Sequence, residues 1–286
     1  MMSNLDRISA RRDVRRAASL LAAPLLWLLG IYIGALAILF LTSFYTVDSF
    51  TNQVIHEFTF QNFIDVFTDH AYLNATLRTL GVAVSVTLVC AFLAIPMAFY
   101  MARIASPARR PFLVALVLTP LWASYLVKVY SWRTMLTPES GVIAWLLHPF
   151  DVQSPGYGIV GVIITLSYLW LPYMVLPIYS GLERLPSSLL DASADLGAST
   201  LQTMRDVVLP NVKPAVIAGS VFTFSLSLGD YITVQIVGGK NQMLGNVVYQ
   251  NFSLNLPFAA AVASIPVVIM VVYLAMIRRT GALENL

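Results

Sequence analysis

Six apolar stretches with short polar connections limit this chain to one kind of fold. They cover roughly residues 17–44, 74–102, 111–133, 159–181, 214–237 and 258–278. A helix needs about 20 apolar residues to cross a bilayer. Inside the hydrocarbon core every backbone polar group must find its partner within the protein, so apolar runs of this length resolve as helices. The composition agrees, since 58% of the 286 residues are hydrophobic and only 11% are charged; ordinary soluble domains carry about 25% charged residues. The sequence predicts an all-α membrane protein, one transmembrane domain over 1–286 with six spans. A soluble enzyme would show shorter runs with more acid and base between them.

The distribution of charge sets the topology. Arg7, Arg11, Arg12, Arg15 and Arg16 precede the first span, and Arg103, Arg109, Arg110, Arg184, Arg205, Lys213, Arg278 and Arg279 fall on the same predicted side. Arg78, Lys128, Arg133 and Lys240 fall on the other. Thirteen basic residues against four mark the cytoplasmic side and place both termini there. The net charge of +3 is therefore a topological signal and not a nucleic-acid patch. The run 17–44 is too long for the apolar region of a cleaved signal peptide. Cys90 is the only cysteine, and His56, His70 and His148 sit in separate polar stretches. No paired spacing of metal ligands results, so no metal site is predicted.

Pro24, Pro96, Pro120, Pro172, Pro177 and Pro266 interrupt the spans and should bend them. Gly30 and Gly34 form a GxxxG, read as a close helix contact. The stretch "GVIAWLLHPF" at 141–150 is too short to span and suits the membrane interface.

The polar connection 183–213 is longer than the others and reads as two short helices. Ser188 and Asp191 give a start signal, and Gly197 a C-terminal stop. Ser199 and Gln202 form a capping box for the second helix, and Pro210 and Pro214 are expected to end it. Leu189, Ala192, Ser193 and Leu196 share a face of the first helix; Leu201, Met204 and Val208 share one of the second. On physics alone this is a cytoplasmic helix–turn–helix, either a docking element or a tether between spans.

The same stretch resembles the EAA loop of permease subunits in ABC importers. That pattern reads E-A-A, three residues, G, nine residues, I, one residue, L-P. Here Asp191-Ala192-Ser193, Gly197, Val207 and Leu209-Pro210 stand at the matching spacing. "TPLWASYLVKVYSW", "LPYMVLPIYSGLERL" and "SLGDYITVQIVGGKNQMLGNVVYQNF" look like segments of polyamine-type permeases, most of all the PotB-like subunit of spermidine/putrescine importers. The resemblance implies a type I ABC importer permease fold in a bacterial inner membrane, with Asp191, Ala192, Ser193, Gly197, Val207, Leu209 and Pro210 forming a coupling loop on a partner ATPase. It further implies a second homologous permease, an ATPase dimer that binds ATP and magnesium, and an extracytoplasmic solute-binding protein.

The chain has no G-x-x-x-x-G-K-[ST] phosphate loop, and "VGGKN" lacks both the first glycine and the hydroxyl residue. No nucleophile–base pairing appears either, so no enzymatic activity or cofactor is expected of this chain alone. Asp230 is the only clear intramembrane acid, and such groups face cavities or partners. With Tyr231, Trp122 and Tyr125 it makes up the expected substrate path, suited to a small polar solute and, through the resemblance, to a polyamine. The first alternative is an ABC permease for another small organic solute; a more distant one is an ion-driven carrier, which would show internal repeats and more buried ionisable groups.

Overall fold

A computed structural model describes residues 4–48, 51 and 53–279, with side chains described from Leu21 onward. Both chain ends, 1–3 and 280–286, lie outside the described residues, as do the side chains of the N-terminal arginines. The chain is helical nearly throughout. A two-stranded hairpin, β1 (Thr46–Val47) with β2 (Val54–Ile55), is the only sheet among the described residues. It pairs Thr46 with Ile55 antiparallel, in the loop after α1 (Asn4–Thr42).

α2 (Gln61–Thr68) and α3 (His70–Phe99) follow; α3 runs on through a π turn at Tyr100–Ile104. Then come α4 (Arg110–Trp122), α5 (Tyr125–Met135), α6 (Val142–Leu147), α7 (Ile159–Arg184), α8 (Ser187–Asp195), α9 (Thr200–Thr203) and α10 (Leu209–Leu228). α11 (Ile232–Val237), α12 (Leu244–Asn251) and α13 (Leu256–Arg279) complete the chain. Five helices are long and apolar enough to cross a membrane, and α4 with α5 makes a sixth span if the bent pair counts as one. The predicted all-α architecture is present, with five or six candidate spans among the described residues.

The centre of the molecule is a three-helix core of α3, α7 and α10. Val86, Cys90, Leu166, Leu169, Met174 and Ile178 are fully buried in it. No hydrophobic effect drives helices together within lipid, so they associate through close packing of small residues. Gly219 supplies one such approach: a Cβ there would lie 2.7 Å from Met174 Sδ and 3.1 Å from Met174 Cα. Gly181 supplies another, where a Cβ would meet that of Ala215 at 2.8 Å. α1 is peripheral and lies against α13, and Leu26, Trp27 and Tyr32 remain exposed. Gly30 and Gly34 have no neighbouring heavy atom within 4 Å of a Cβ, so the GxxxG makes no close helix contact within this chain. Trp145 and Phe150, around α6, are also exposed, as an interfacial helix would leave them.

Four local expectations need correction. The third span is not one helix over 111–133, because α4 and α5 meet at 92°. Pro120 weakens the last turn of α4 by withholding an N–H. Ala123 and Ser124 then turn extended, and α5, which carries Lys128 and Arg133, packs against α11 instead of continuing the span. The fifth span stops at Leu228, short of the predicted 237, and the chain restarts as α11. Pro210 and Pro214 do not end the second connecting helix. Thr200–Leu228 is continuous, because a π turn at Met204–Val208 shifts the bonding by one residue and Leu209 N–H reaches Met204 O. Finally, α8 starts at Ser187 after Pro186, with no side-chain cap from Ser188.

Gly219→Val should overpack the α7–α10 contact and cost about 1–3 kcal/mol. Gly34→Val, facing open space, should cost little. Thermal unfolding of the purified chain in detergent checks this: the expected result is a clearly lower midpoint for Gly219→Val alone, and equal midpoints would contradict the packing described.

Candidate functional site

Two features carry chemistry: the pair of broken helices around Asp230 and the connection between α7 and α10. The helix breaks come first, because an interrupted helix exposes backbone groups that a membrane cannot hydrate. After α10 the chain leaves helical geometry at Gly229–Tyr231. The Asp230 carboxylate meets the restart: Thr233 N–H donates to Oδ1 at 2.8 Å, and the Thr233 hydroxyl donates to Oδ2 at 3.2 Å. The Tyr125 hydroxyl, at the first residue of α5, also donates to Oδ2. One buried acid therefore ties the break in the third span to the break in the fifth. Asp230 is only 7% exposed and Thr233 is fully buried.

The turn after α11 is fixed by polar groups as well. Asn246 Nδ2 donates to Tyr231 O at 3.0 Å and its Oδ1 accepts from Met243 N–H at 3.2 Å. Thr79 Oγ1 accepts from Leu244 N–H at 2.9 Å, and Arg78 donates to Gln242 O at 2.9 Å. Of the expected path residues, the structure brings Tyr125 and Asp230 together. Tyr231 turns away to stack on Tyr249, with ring centroids 5.1 Å apart. Trp122 stands at the end of α4, 86% exposed, on the far side of the 92° break from Tyr125. The two do not share a helix face.

The connection folds as a helix–turn–helix. α8 ends in a Schellman arrangement: Gly197 N–H donates to Ala194 O at 2.9 Å and Ala198 N–H to Ser193 O at 3.1 Å. Gly197 has φ +76°, the left-handed region where a side chain is strained. Both halves of the Ser199–Gln202 capping box are present. Ser193 and Thr203 join the two helices through their hydroxyls at 2.8 Å. Asp191, Ala192, Leu196 and Leu201 stay exposed, while Val208 is buried in the core cluster and Val207 half-buried. Leu209 and Pro210 open α10 directly beyond the π turn.

Sequence reading missed one residue here. Arg103, on the π turn after α3, donates through one guanidinium nitrogen to Leu182 O in the last turn of α7 and to Leu185 O at its C-cap. It thus holds the point where the connection begins. In sequence it counted only as a topological charge; an arginine near the end of a helix is also a candidate cap for a neighbour's carbonyls. Thr233 was missed too, although Gly229-Asp230 is a breaker pair followed three residues later by a hydroxyl.

No cluster of potential metal ligands occurs among the described residues. Residues 17–280 match the family described as "Binding-protein-dependent transport system inner membrane component". The chain is 43% identical to the inner membrane ABC transporter permease protein YdcU of Escherichia coli K12, over 93% of this chain and 90% of that one. It is 34% identical to the spermidine/putrescine transport system permease protein PotB of the same organism, over 85% and 90%. Among solved structures, a chain of a bacterial alginate ABC transporter superposes with a TM-score of 0.66 at 16% identity, covering 94% of each chain. A chain of the MetNI methionine ABC transporter gives 0.57 at 16% identity, over 73% of this chain and 94% of that one. These two likenesses concern the fold.

Asp230→Leu should strand the Thr233 N–H, at about 1–3 kcal/mol for a buried group, and leave the Tyr125 and Thr233 hydroxyls only each other, 2.7 Å apart. Asp230→Asn keeps an acceptor of the same shape. The leucine variant should unfold in detergent at a clearly lower temperature than the asparagine variant; indistinguishable midpoints would remove Asp230 as the tie between the breaks.

Proposed function

The chain belongs to the family of binding-protein-dependent transport inner membrane components, and on that premise we propose that it is one permease half of an ATP-driven importer in a bacterial inner membrane. Its relatives are permease subunits of ABC transporters. A second, homologous permease would complete the translocation path. A dimer of ATPase subunits would bind ATP and magnesium on the cytoplasmic side, where both termini also lie in this reading. A solute-binding protein would deliver the solute from outside.

The observation that carries the proposal is the helix–turn–helix between α7 and α10. It projects apolar and acidic side chains (Ala192, Leu196, Asp191) from a rigid scaffold. The scaffold joins α10 without a break through the π turn. Asp191, Ala192, Ser193, Gly197, Val207, Leu209 and Pro210 form the coupling loop in this assignment, with distinct tasks. Asp191 and Ala192 offer the contact face. Ser193 and Gly197 hold the angle between the two helices. Val207, Leu209 and Pro210 pass a displacement of α9 into α10. Closure of the ATPase dimer then moves the coupling loop, and the α7–α10 pair opens the path outward.

The proposed solute is a polyamine such as putrescine or spermidine. The PotB relatives support it; the name of the 43% identical relative gives no substrate. Within the path we assign Asp230 and Tyr125 to the wall, with Tyr231 and Trp122 as its outer limits.

Gly197→Val tests the coupling role. The site has open space around it, so the penalty is conformational, about 1–2 kcal/mol for a side chain in the left-handed region. The chain should insert and assemble, while ATP hydrolysis stimulated by the binding protein falls at least about tenfold and uptake falls with it. Unchanged stimulation and uptake would remove the coupling assignment.

A further inference from the structure

The outward faces of the helices are not alike. α3 turns Leu77, Val84, Leu88 and Phe92 outward, and α13 turns out Val268, Val271, Val272 and Met276. These are aliphatic and aromatic surfaces of the kind lipid accepts. The outward face of α10 differs: Asn211, Ala218, Phe222, Ser225 and Gly229 follow one another at helical spacing, and all except the half-buried Ala218 are exposed. α7 contributes Ser180 and Arg184 beside it, and these line a cavity of about 340 Å³ with Pro177, Asn211 and Pro214. Small and polar groups along a span face something other than lipid.

A row of four rings starts at Phe222 on this face of α10 and crosses α7 to α5. Tyr125 on α5 stacks with Trp170 on α7 at 6.1 Å between centroids, and Trp170 meets Tyr173 at 6.0 Å. Tyr173 reaches Phe222 on α10 at 6.4 Å. Tyr125, Trp170 and Tyr173 are half-buried and Phe222 is 53% exposed. The row ends at Asp230, which holds the Tyr125 hydroxyl. In formal charge that carboxylate balances Lys128, three residues along α5 from Tyr125. The indole nitrogen of Trp170 is buried without a hydrogen-bond partner among the described residues, an open polar position in the middle of the row.

We propose that the Tyr125–Trp170–Tyr173–Phe222 row is the solute-contacting site of this chain, and that it takes an organic ammonium cation against its ring faces. The inference rests on the permease reading and deepens it. Ring faces attract a cation through their quadrupoles, and the attraction grows as water is excluded. Asp230 is occupied by donors from its own chain, so it contributes field along the row and not a direct ion pair. Successive rings let a flexible cation step along the row without being held tightly at one point. The Trp170 N–H is left for a water or solute oxygen accompanying the cation.

The test uses the complete complex, reconstituted with its binding protein, and measures radiolabelled putrescine and spermidine imported per ATP hydrolysed. Trp170→Leu should lower this ratio about tenfold, the scale of one desolvated ring–cation contact. Trp170→Phe should stay within about threefold of the wild type. Tyr173→Leu should behave like Trp170→Leu, and it decides the matter if Trp170→Leu fails to assemble. An unchanged ratio in the leucine variants would overturn the proposal. So would loss of assembly in Trp170→Phe together with Tyr173→Leu, which would make the row a packing surface for the second permease. If the binding protein stimulates wild-type hydrolysis but neither amine is imported, the cation site falls while the permease reading stands. If there is no stimulation at all, the permease reading itself fails and this site with it.

Discussion

The architecture depends on satisfying interrupted backbone inside a bilayer. An unpartnered N–H or C=O in the hydrocarbon core costs several kcal/mol, so a membrane helix can break only where the protein supplies a replacement partner. This chain breaks two of its spans, at Ala123–Ser124 and at Gly229–Tyr231; one carboxylate supplies a backbone partner at the second break and holds the side chain that opens α5 after the first. Asp230 accepts from the restarted fifth span through Thr233 and from the restarted third span through Tyr125. The breaks turn α5 and α11 toward each other, which brings Tyr125 to α7 and sets the first ring of the aromatic row. A buried acid used in this way fixes geometry before it can serve any solute.

The opposite end of the molecule faces a related problem. In the proposed coupling role the helix–turn–helix must be rigid enough to transmit a displacement, yet it lies between two helices of the core. Arg103 anchors its beginning by covering two carbonyls at the end of α7, and the π turn at Met204–Val208 fuses its end to α10. Gly219 and Gly181 keep α7 and α10 in close contact farther along. A push on the exposed face of α8 or α9 therefore reaches the groove through continuous, close-packed helix. The proposed coupling would need no separate hinge between this element and the proposed path.

What could be read from the sequence follows from how local each determinant is. The spans were legible because bilayer thickness demands long apolar runs, and the Gly197 stop and the Ser199–Gln202 box because each is settled within a few residues. The breaks were not, since the apolar pattern runs through both of them. Their deciding bond joins residues 105 apart in sequence. Pro210 misled for the opposite reason: locally it ends a helix, but a π turn accommodates it. For the site, Asp230, Tyr125, Trp122 and Tyr231 could be picked out by residue type, whereas the bend that parts Trp122 from Tyr125 and the stacking of Tyr231 on Tyr249 could not. The aromatic row joins α5, α7 and α10, so no spacing within one helix announces it.

In the proposed function, ATP hydrolysis by partner subunits, not an ion gradient, drives movement of solute through this chain. Proteoliposomes containing the chain with its second permease and ATPase, supplied with the binding protein and labelled putrescine, test it most directly. The account predicts accumulation that requires ATP and magnesium on the ATPase side and persists when ionophores collapse proton and sodium gradients. Accumulation by this chain alone, driven by an imposed ion gradient in the absence of ATP, would contradict it.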